Sequence, residues 1–103
     1  MSGLKLPNPL RMDGARAAWA QMSPALRAEA AQVLAAAGRE VRLSAAGLTD
    51  FDSSALSLLL SAARQCSEQG ATLKLDDAPE KLRELARVYG VSELFWPVAV
   101  APA

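Results

Sequence analysis

The chain of 103 residues contains no histidine and a single cysteine, Cys66. The lack of histidine removes the commonest general base of enzymes and the commonest protein ligand of zinc. One cysteine excludes a disulfide or a multi-thiolate metal site within one chain, and it favours a reducing compartment. Cys66 falls in the apolar stripe of a predicted helix, so we expect a buried thiol rather than a nucleophile.

Charge of one sign is also not in excess, because eleven basic residues balance eleven acidic ones. The chain therefore has no basic field that could hold nucleic acid or an anionic lipid surface. No apolar run approaches the length that crosses a bilayer, and the start of the chain lacks the apolar region of a signal peptide. We expect a cytoplasmic protein that neither binds nucleic acid nor inserts into a membrane.

Phosphate-binding glycine motifs of the G-x-x-x-x-G-K-[ST] and G-x-G-x-x-G types are missing as well. Serine is plentiful, but a serine nucleophile needs a neighbouring base, and no histidine is present to supply one. We expect that the protein is not an enzyme, that it has no catalytic residue, and that it needs neither a cofactor nor a metal.

Periodicity in the second half of the chain predicts an α/β fold. Apolar residues alternate over 41–45 and 72–76, as in strands, and recur at helical spacing from Ala55 to the glycine at position 70. This βαβ unit should have parallel strands and a right-handed crossover. With short strands at 4–6 and 10–12, the prediction is a small mixed sheet of about four strands with helices packed on it.

Two further helices are predicted in the first forty residues. Asp13 is a candidate N-cap for a helix over 14–22, since aspartate accepts bonds from the first free N–H groups. Ser23 and Pro24 then have the order typical of a second helix start, with serine as the cap and proline at the first helical position. That second helix should run to about Ala37.

The end of the chain is predicted to pack on the sheet. A helix should begin at Pro79 and end at Gly90. Phe95 and Trp96 follow, and they either cap the core or form an exposed contact patch. We expect one domain over 1–103 with its core at about 4–96, and a flexible tail at 97–103.

The most informative segment is the acidic loop that joins the strand over 41–45 to the next helix. It contains Asp50 and Asp52, and it ends in two adjacent hydroxyls, Ser53 and Ser54. Open α/β sheets bind ligands at this end of a strand, and free N–H groups at a helix start favour a negative group. Five interpretations stay open: a solvated helix cap, a phosphorylated serine, a Mg²⁺ site on the carboxylates, a surface for a basic partner, and a small-ligand site suggested by the location at the end of a strand.

Residues 51–56, with the sequence Phe-Asp-Ser-Ser-Ala-Leu, resemble the core motif of STAS domains. In that family an apolar strand, a small turn and an apolar residue precede Asp-Ser-Ser-Gly-Leu, which opens a helix. Ala55 stands here in place of the glycine. The resemblance continues through 69–75 and 85–91 and covers 41–95 in all, whereas the first forty residues match weakly.

The resemblance implies a non-catalytic switch or docking module, and two branches of the family compete. In the MlaB-like branch, the STAS subunit binds the ATPase of a phospholipid-transporting ABC complex and supports its assembly and activity at the cytoplasmic face of the inner membrane. In anti-sigma-factor antagonists, a partner kinase phosphorylates a serine of the motif, and the partner is released.

Three features favour the MlaB-like branch over the antagonists. The Leu-Ala-x-x-Tyr pattern that ends at Tyr89 is similar to the final helix of that branch. The first part of the chain is short, with Asn-Pro-Leu-Arg at 8–11 where antagonists have Gly-x-Leu-Asp. Ser44 stands where antagonists have a strand-end aspartate.

We therefore expect an accessory subunit that binds the ABC-transporter ATPase and lies at the inner membrane through that complex. The alternative is an anti-sigma-factor antagonist whose partner is an anti-sigma factor with serine kinase activity, and whose candidate phosphorylation sites are Ser53 and Ser54. The partner-binding residues implied by the resemblance are Asp50, Asp52, Ser53, Ser54, Leu56 and Ser57.

Overall fold

The structure, a computed structural model, describes residues 4–96. Four helices and two strands follow one another in the order α1, β1, α2, β2, α3 and α4. Their bounds are α1 Met12–Ala35, β1 Glu40–Ser44, α2 Ser54–Glu68, β2 Thr72–Asp76, α3 Glu80–Val88 and α4 Ser92–Phe95. The predicted strand over 72–76 is confirmed, and β1, α2 and α3 begin and end within two residues of the predicted positions, whereas the short helix α4 was not predicted.

β1 and β2, which precede and follow α2 in the chain, pair in parallel. Val41 lies beside Leu73 and Leu43 beside Leu75, and all four side chains are buried. Side chains of a strand point alternately to opposite faces, so the intervening residues of β1 and β2 face outward. The sheet therefore turns one apolar face to the helices and one polar face away from them.

Among the described residues the sheet has two strands, not the four or so that were predicted. The segment before α1 makes two single parallel bridges instead, between Lys5 and Ser44 and between Leu10 and Phe51. Two prolines lie between these bridges, and proline has no N–H group to donate to a ladder. A regular strand therefore does not form there. The right-handed crossover stays a prediction.

Helix α1 is continuous through Pro24, so the predicted helix start at Ser23 is wrong. Gln65 of α2 holds this point of the helix, since its Oε1 accepts a bond from the Ser23 hydroxyl at 2.6 Å and its Nε2 donates to the Ser23 carbonyl at 2.8 Å. The helix also begins at Met12, which places Asp13 in its first turn rather than at its cap.

The C-terminal end of α1 turns through a non-glycine residue with a left-handed backbone. Ala37 has a φ of 65°. This conformation lets the Gly38 N–H reach the Val33 carbonyl at 2.8 Å, which closes the end of the helix. An L-residue in this region costs roughly 1–2 kcal/mol, whereas glycine adopts it freely.

We therefore expect Ala37→Gly to stabilise the protein by about 1 kcal/mol, because glycine removes the steric cost of the left-handed turn. Urea unfolding followed by circular dichroism measures this change. The matched control is Ala36→Gly, because Ala36 has a φ of −91°, where alanine fits well. The control should be destabilised by about 0.4–1 kcal/mol. A lower stability for Ala37→Gly than for Ala36→Gly would contradict this account.

One hydrophobic core lies between the helices and the apolar face of the sheet. Its largest contribution comes from α2, whose buried apolar residues are Ala55, Leu56, Leu58, Leu59, Ala62 and Cys66. The expected burial of Cys66 is confirmed, and desolvation raises the pKa of its thiol. No helix within residues 4–96 is long and apolar enough to cross a bilayer.

Phe95 and Trp96 cap the core, which settles the alternative left open by the sequence. Phe95 is 1% exposed, and the Trp96 ring packs against it edge to face with 5.8 Å between centroids. The Trp96 indole N–H also donates to the Leu75 carbonyl of β2 at 3.1 Å. The predicted flexible tail at 97–103 lies outside the described residues.

Candidate functional site

The loop between β1 and α2 brings the acidic residues and the adjacent hydroxyls to one end of the domain. It leaves the carboxyl end of β1 after Ser44 and enters α2 through Ser53, the residue at the N-cap position. The acidic pair of the loop, Asp50 and Asp52, lies beside the first turn of α1 as well as that of α2. The site is therefore built where two helices begin.

The N-terminal segment holds this loop in place through hydrogen bonds of Asn8. The Asn8 Oδ1 accepts bonds from the backbone N–H groups of Thr49 at 3.0 Å and Asp50 at 2.9 Å. The Asn8 Nδ2 donates to the Thr49 hydroxyl at 3.2 Å, and the Leu10 N–H donates to the Asp50 carbonyl at 2.8 Å. The backbone of the acidic loop is therefore held by the segment that precedes α1.

Arg11 pairs with Asp50 at 2.8 Å between the guanidinium and the carboxylate. The hydrogen bond and the charge of Asp50 raise the pKa of Arg11 further above its ordinary value. Both side chains are about half exposed, at 51% and 56%, so solvent screens the pair and its effect on stability is small. The contact chiefly orients the loop.

Asp52 accepts hydrogen bonds from both helix starts. Its Oδ2 receives the Met12 N–H at 3.0 Å, and its Oδ1 receives the Ser54 N–H at 2.9 Å as well as the Ser54 hydroxyl. The bond from the Ser54 hydroxyl is the main reason why the pKa of Asp52 lies below its ordinary value, followed by the two backbone donors. The carboxylate is therefore ionised at neutral pH, with both oxygens engaged.

The magnesium interpretation finds no support in this geometry. Within residues 4–96 no group of three or more acidic or cysteine side chains converges on a point where an ion could bind. One oxygen of Asp50 faces Arg11, and the oxygens of Asp52 face three donors of the protein itself. The two carboxylates therefore bond to groups of the protein and stabilise the loop.

The two adjacent serines differ in their surroundings. Ser54 is half-buried, and its hydroxyl donates to Asp52. Ser53 is exposed, and its hydroxyl makes no hydrogen bond with any described residue, not even as a cap of α2. Asp52 receives the first N–H of α2 in place of a serine. Of the two hydroxyls, only that of Ser53 is offered to another molecule.

A shallow apolar groove of about 150 Å³ begins beside Ser53 and runs between α2 and the turn after α3. It is lined by Ser53, Leu56, Ser57, Leu60, Tyr89 and Val91. Leu56 is buried and forms the floor, whereas Ser57 is exposed on the wall. Tyr89 is 59% exposed and stands on the opposite wall. A second hollow continues the groove beyond Leu60, toward the exposed Leu94.

Asn8 and Met12 were not predicted as parts of the site. Asn8 contacts residues 41 and 42 positions away, and Met12 contacts Asp52 across 40 positions. No local spacing marks such contacts. The one available signal was the Asn-Pro pair, since asparagine commonly bonds backbone groups in irregular segments.

The comparisons with known proteins agree with the resemblance in the sequence. Residues 9–97 match the family model described as "Mlab, STAS domain", which includes the loop, α2 and both walls of the groove. Neither the curated proteins nor the solved structures gave a match. STAS domains are generally non-catalytic binding domains. Since the family model covers most of the chain, the protein belongs to the STAS-domain family and resembles MlaB.

Proposed function

We propose that this protein is a non-catalytic accessory subunit that binds the ATPase of a phospholipid-transporting ABC complex and supports its assembly and activity. The observation that carries the proposal is the exposed hydroxyl of Ser53, which has no hydrogen-bond partner among residues 4–96 and lies at the mouth of an apolar groove. The family supports it, because its members generally bind other proteins. The chain would then lie at the inner membrane through its partner.

The proposed contact surface consists of Ser53, Ser57 and the groove beside them. Residues four positions apart share one face of a helix, so Ser53 and Ser57 present two hydroxyls side by side. Tyr89 adds a large apolar ring with a polar tip, which is the kind of side chain that dominates binding energies at interfaces. Leu56 and Leu60 supply an apolar floor that excludes water when covered.

The six residues expected at the interface then divide by role. Ser53 and Ser57 contact the partner directly, and Leu56 contacts it only through the floor of the groove. Asp50 is exposed but paired with Arg11, so its carboxylate is only partly available to the partner. Asp52 and Ser54 bond to each other, and they hold the surface in shape rather than extend from it.

Ser53→Arg should weaken binding to the transporter ATPase by about tenfold or more, because a long charged side chain would stand where a small hydroxyl fits the partner. Co-purification of the two proteins, with a tag on the ATPase, measures the loss. Ala31→Arg is the matched control, since it adds the same side chain at an exposed position far along α1.

The control should co-purify as well as the unaltered chain. If Ser53→Arg also co-purifies fully, while circular dichroism shows both variants folded, Ser53 does not lie in the interface. If the unaltered chain itself fails to bind the ATPase, the proposed partner is wrong.

A second candidate function is an antagonist of an anti-sigma factor that is switched by serine phosphorylation. The free hydroxyl of Ser53 favours it, since a kinase needs an accessible alcohol. The nearby carboxylate of Asp52 opposes it, because a phosphate dianion would be repelled there.

On this alternative, phosphate should appear on Ser53 and not on Ser54, whose hydroxyl is held by Asp52. Mass spectrometry after incubation with candidate serine kinases decides, with Ser53→Ala as the control that should remove the signal. Absence of phosphate from both serines would count against the switch, and phosphate on Ser54 alone would contradict the role given to its hydrogen bond.

A further inference from the structure

One carboxylate joins the starts of two helices that are distant in sequence. Asp52 accepts the Met12 N–H, which opens α1, on one oxygen and the Ser54 N–H, which opens α2, on the other. The first N–H groups of a helix have no partner within the helix, so each of them depends on an acceptor from outside. Here the same side chain supplies both acceptors.

We propose that Asp52 is a positioning residue that couples the surface at Ser53 to the start of α1. Ser53 lies between Asp52 and Ser54 in the chain, so a change in its backbone or a charge on its side chain acts directly on the carboxylate. A shift of that carboxylate changes the acceptor of the Met12 N–H. A change at Ser53 therefore alters the hydrogen bond of the Met12 N–H, 41 positions earlier in the chain.

Two further contacts hold the backbone of the loop on the N-terminal side of Ser53. The Leu10 carbonyl accepts the Asp52 N–H at 3.3 Å, and Asn8 holds the preceding backbone at Thr49 and Asp50. Because these contacts hold the loop backbone that precedes Ser53, a change at Ser53 reaches α1 through the side chain of Asp52. The Arg11–Asp50 pair connects the same two segments by a separate path, and it provides the matched comparison.

The test uses the free, isotopically labelled chain, so its result does not depend on which partner binds. Ser53→Asp places a negative charge beside Asp52, and it should shift the backbone amide resonance of Met12. The same substitution in an Asp52→Asn background should no longer produce that shift. In an Asp50→Asn background the shift should persist, because only the Arg11 contact is lost.

Ser57→Asp is the control for a general charge effect, since it adds the same charge one helical turn further from Asp52. It should shift Met12 much less than Ser53→Asp does. If Asp52→Asn does not fold, Asp52→Ser takes its place, because serine also caps helices but is too short to reach both starts.

The coupling is measured from the Met12 amide shift that Ser53→Asp causes, compared between the Asp52→Asn and the Asp50→Asn backgrounds. A merely structural role of Asp52 would not make these two shifts differ. The proposal is overturned if Ser53→Asp leaves the Met12 amide unmoved. It is equally overturned if the Met12 shift has the same size with and without the Asp52 carboxylate.

Discussion

Replacing Phe95 with alanine is expected to lower the free energy of unfolding by about 3–5 kcal/mol, as for other buried phenylalanines. Phe95 is 1% exposed and lies in the single-turn helix α4, which has few other contacts to hold it on the sheet. Truncation would remove a large apolar ring from the core and leave a cavity. It would also remove the edge-to-face contact that orients Trp96.

The matched control is the preceding residue in the same helix, Leu94, which is 54% exposed. Leu94→Ala should change stability by no more than about 0.5 kcal/mol, as is usual for surface positions. Urea unfolding of both variants, followed by far-ultraviolet circular dichroism, measures the difference. Equal stabilities of the two variants would show that α4 does not cap the core as described here.

Leu59→Ala should be nearly as costly, with an expected loss of about 2–5 kcal/mol. Leu59 is 0% exposed and belongs to the face of α2 that is buried in the core. Truncation would leave a cavity in the core, because surrounding side chains relax only partially into such a space. Thermal unfolding should therefore show a markedly lower midpoint for this variant.

Leu60 is the natural comparison, because it is the next residue and has the same side chain in a different place. It is half-buried and lines both hollows of the groove. Leu60→Ala should cost clearly less stability than Leu59→Ala, and it should weaken binding to the ATPase if the groove is the contact surface. A stable Leu60→Ala variant that binds fully would show that Leu60 does not lie in the interface.

Periodicity and the residues that start or end helices were enough to predict β1, α2, β2 and α3, because each of these elements has a clear apolar face or a recognisable start or end. The glycines at positions 70 and 90 follow α2 and α3 with φ values of 92° and 73°. These are local signals, carried by residues that lie close together in the chain. They need no knowledge of what the element packs against.

The first half of α1 shows where such signals fail. Ser23 and Pro24 have the local chemistry of a helix start, and yet α1 runs through them. Gln65 of the neighbouring helix, 42 positions away, bonds the hydroxyl and the carbonyl of Ser23. A contact between helices thus outweighs the local preference, and no window of the sequence contains both residues.

The candidate site was predicted in position but not in detail. The acidic loop and its two hydroxyls stand out in the sequence, and the structure does place them at the start of α2. The sequence alone, however, does not distinguish the surroundings of Ser53 from those of Ser54. Their difference arises because Asp52 turns toward Ser54 and Met12, and that orientation depends on where α1 begins.

The buried position of Cys66 has a practical use. As the sole thiol of the chain, it lies in the inner face of α2 with 0% exposure, so a thiol-specific reagent reaches it only when the core around that helix opens. The rate at which such a reagent labels the native protein therefore reports how often α2 opens. No reporter group has to be introduced to follow that opening, with the partner bound or absent.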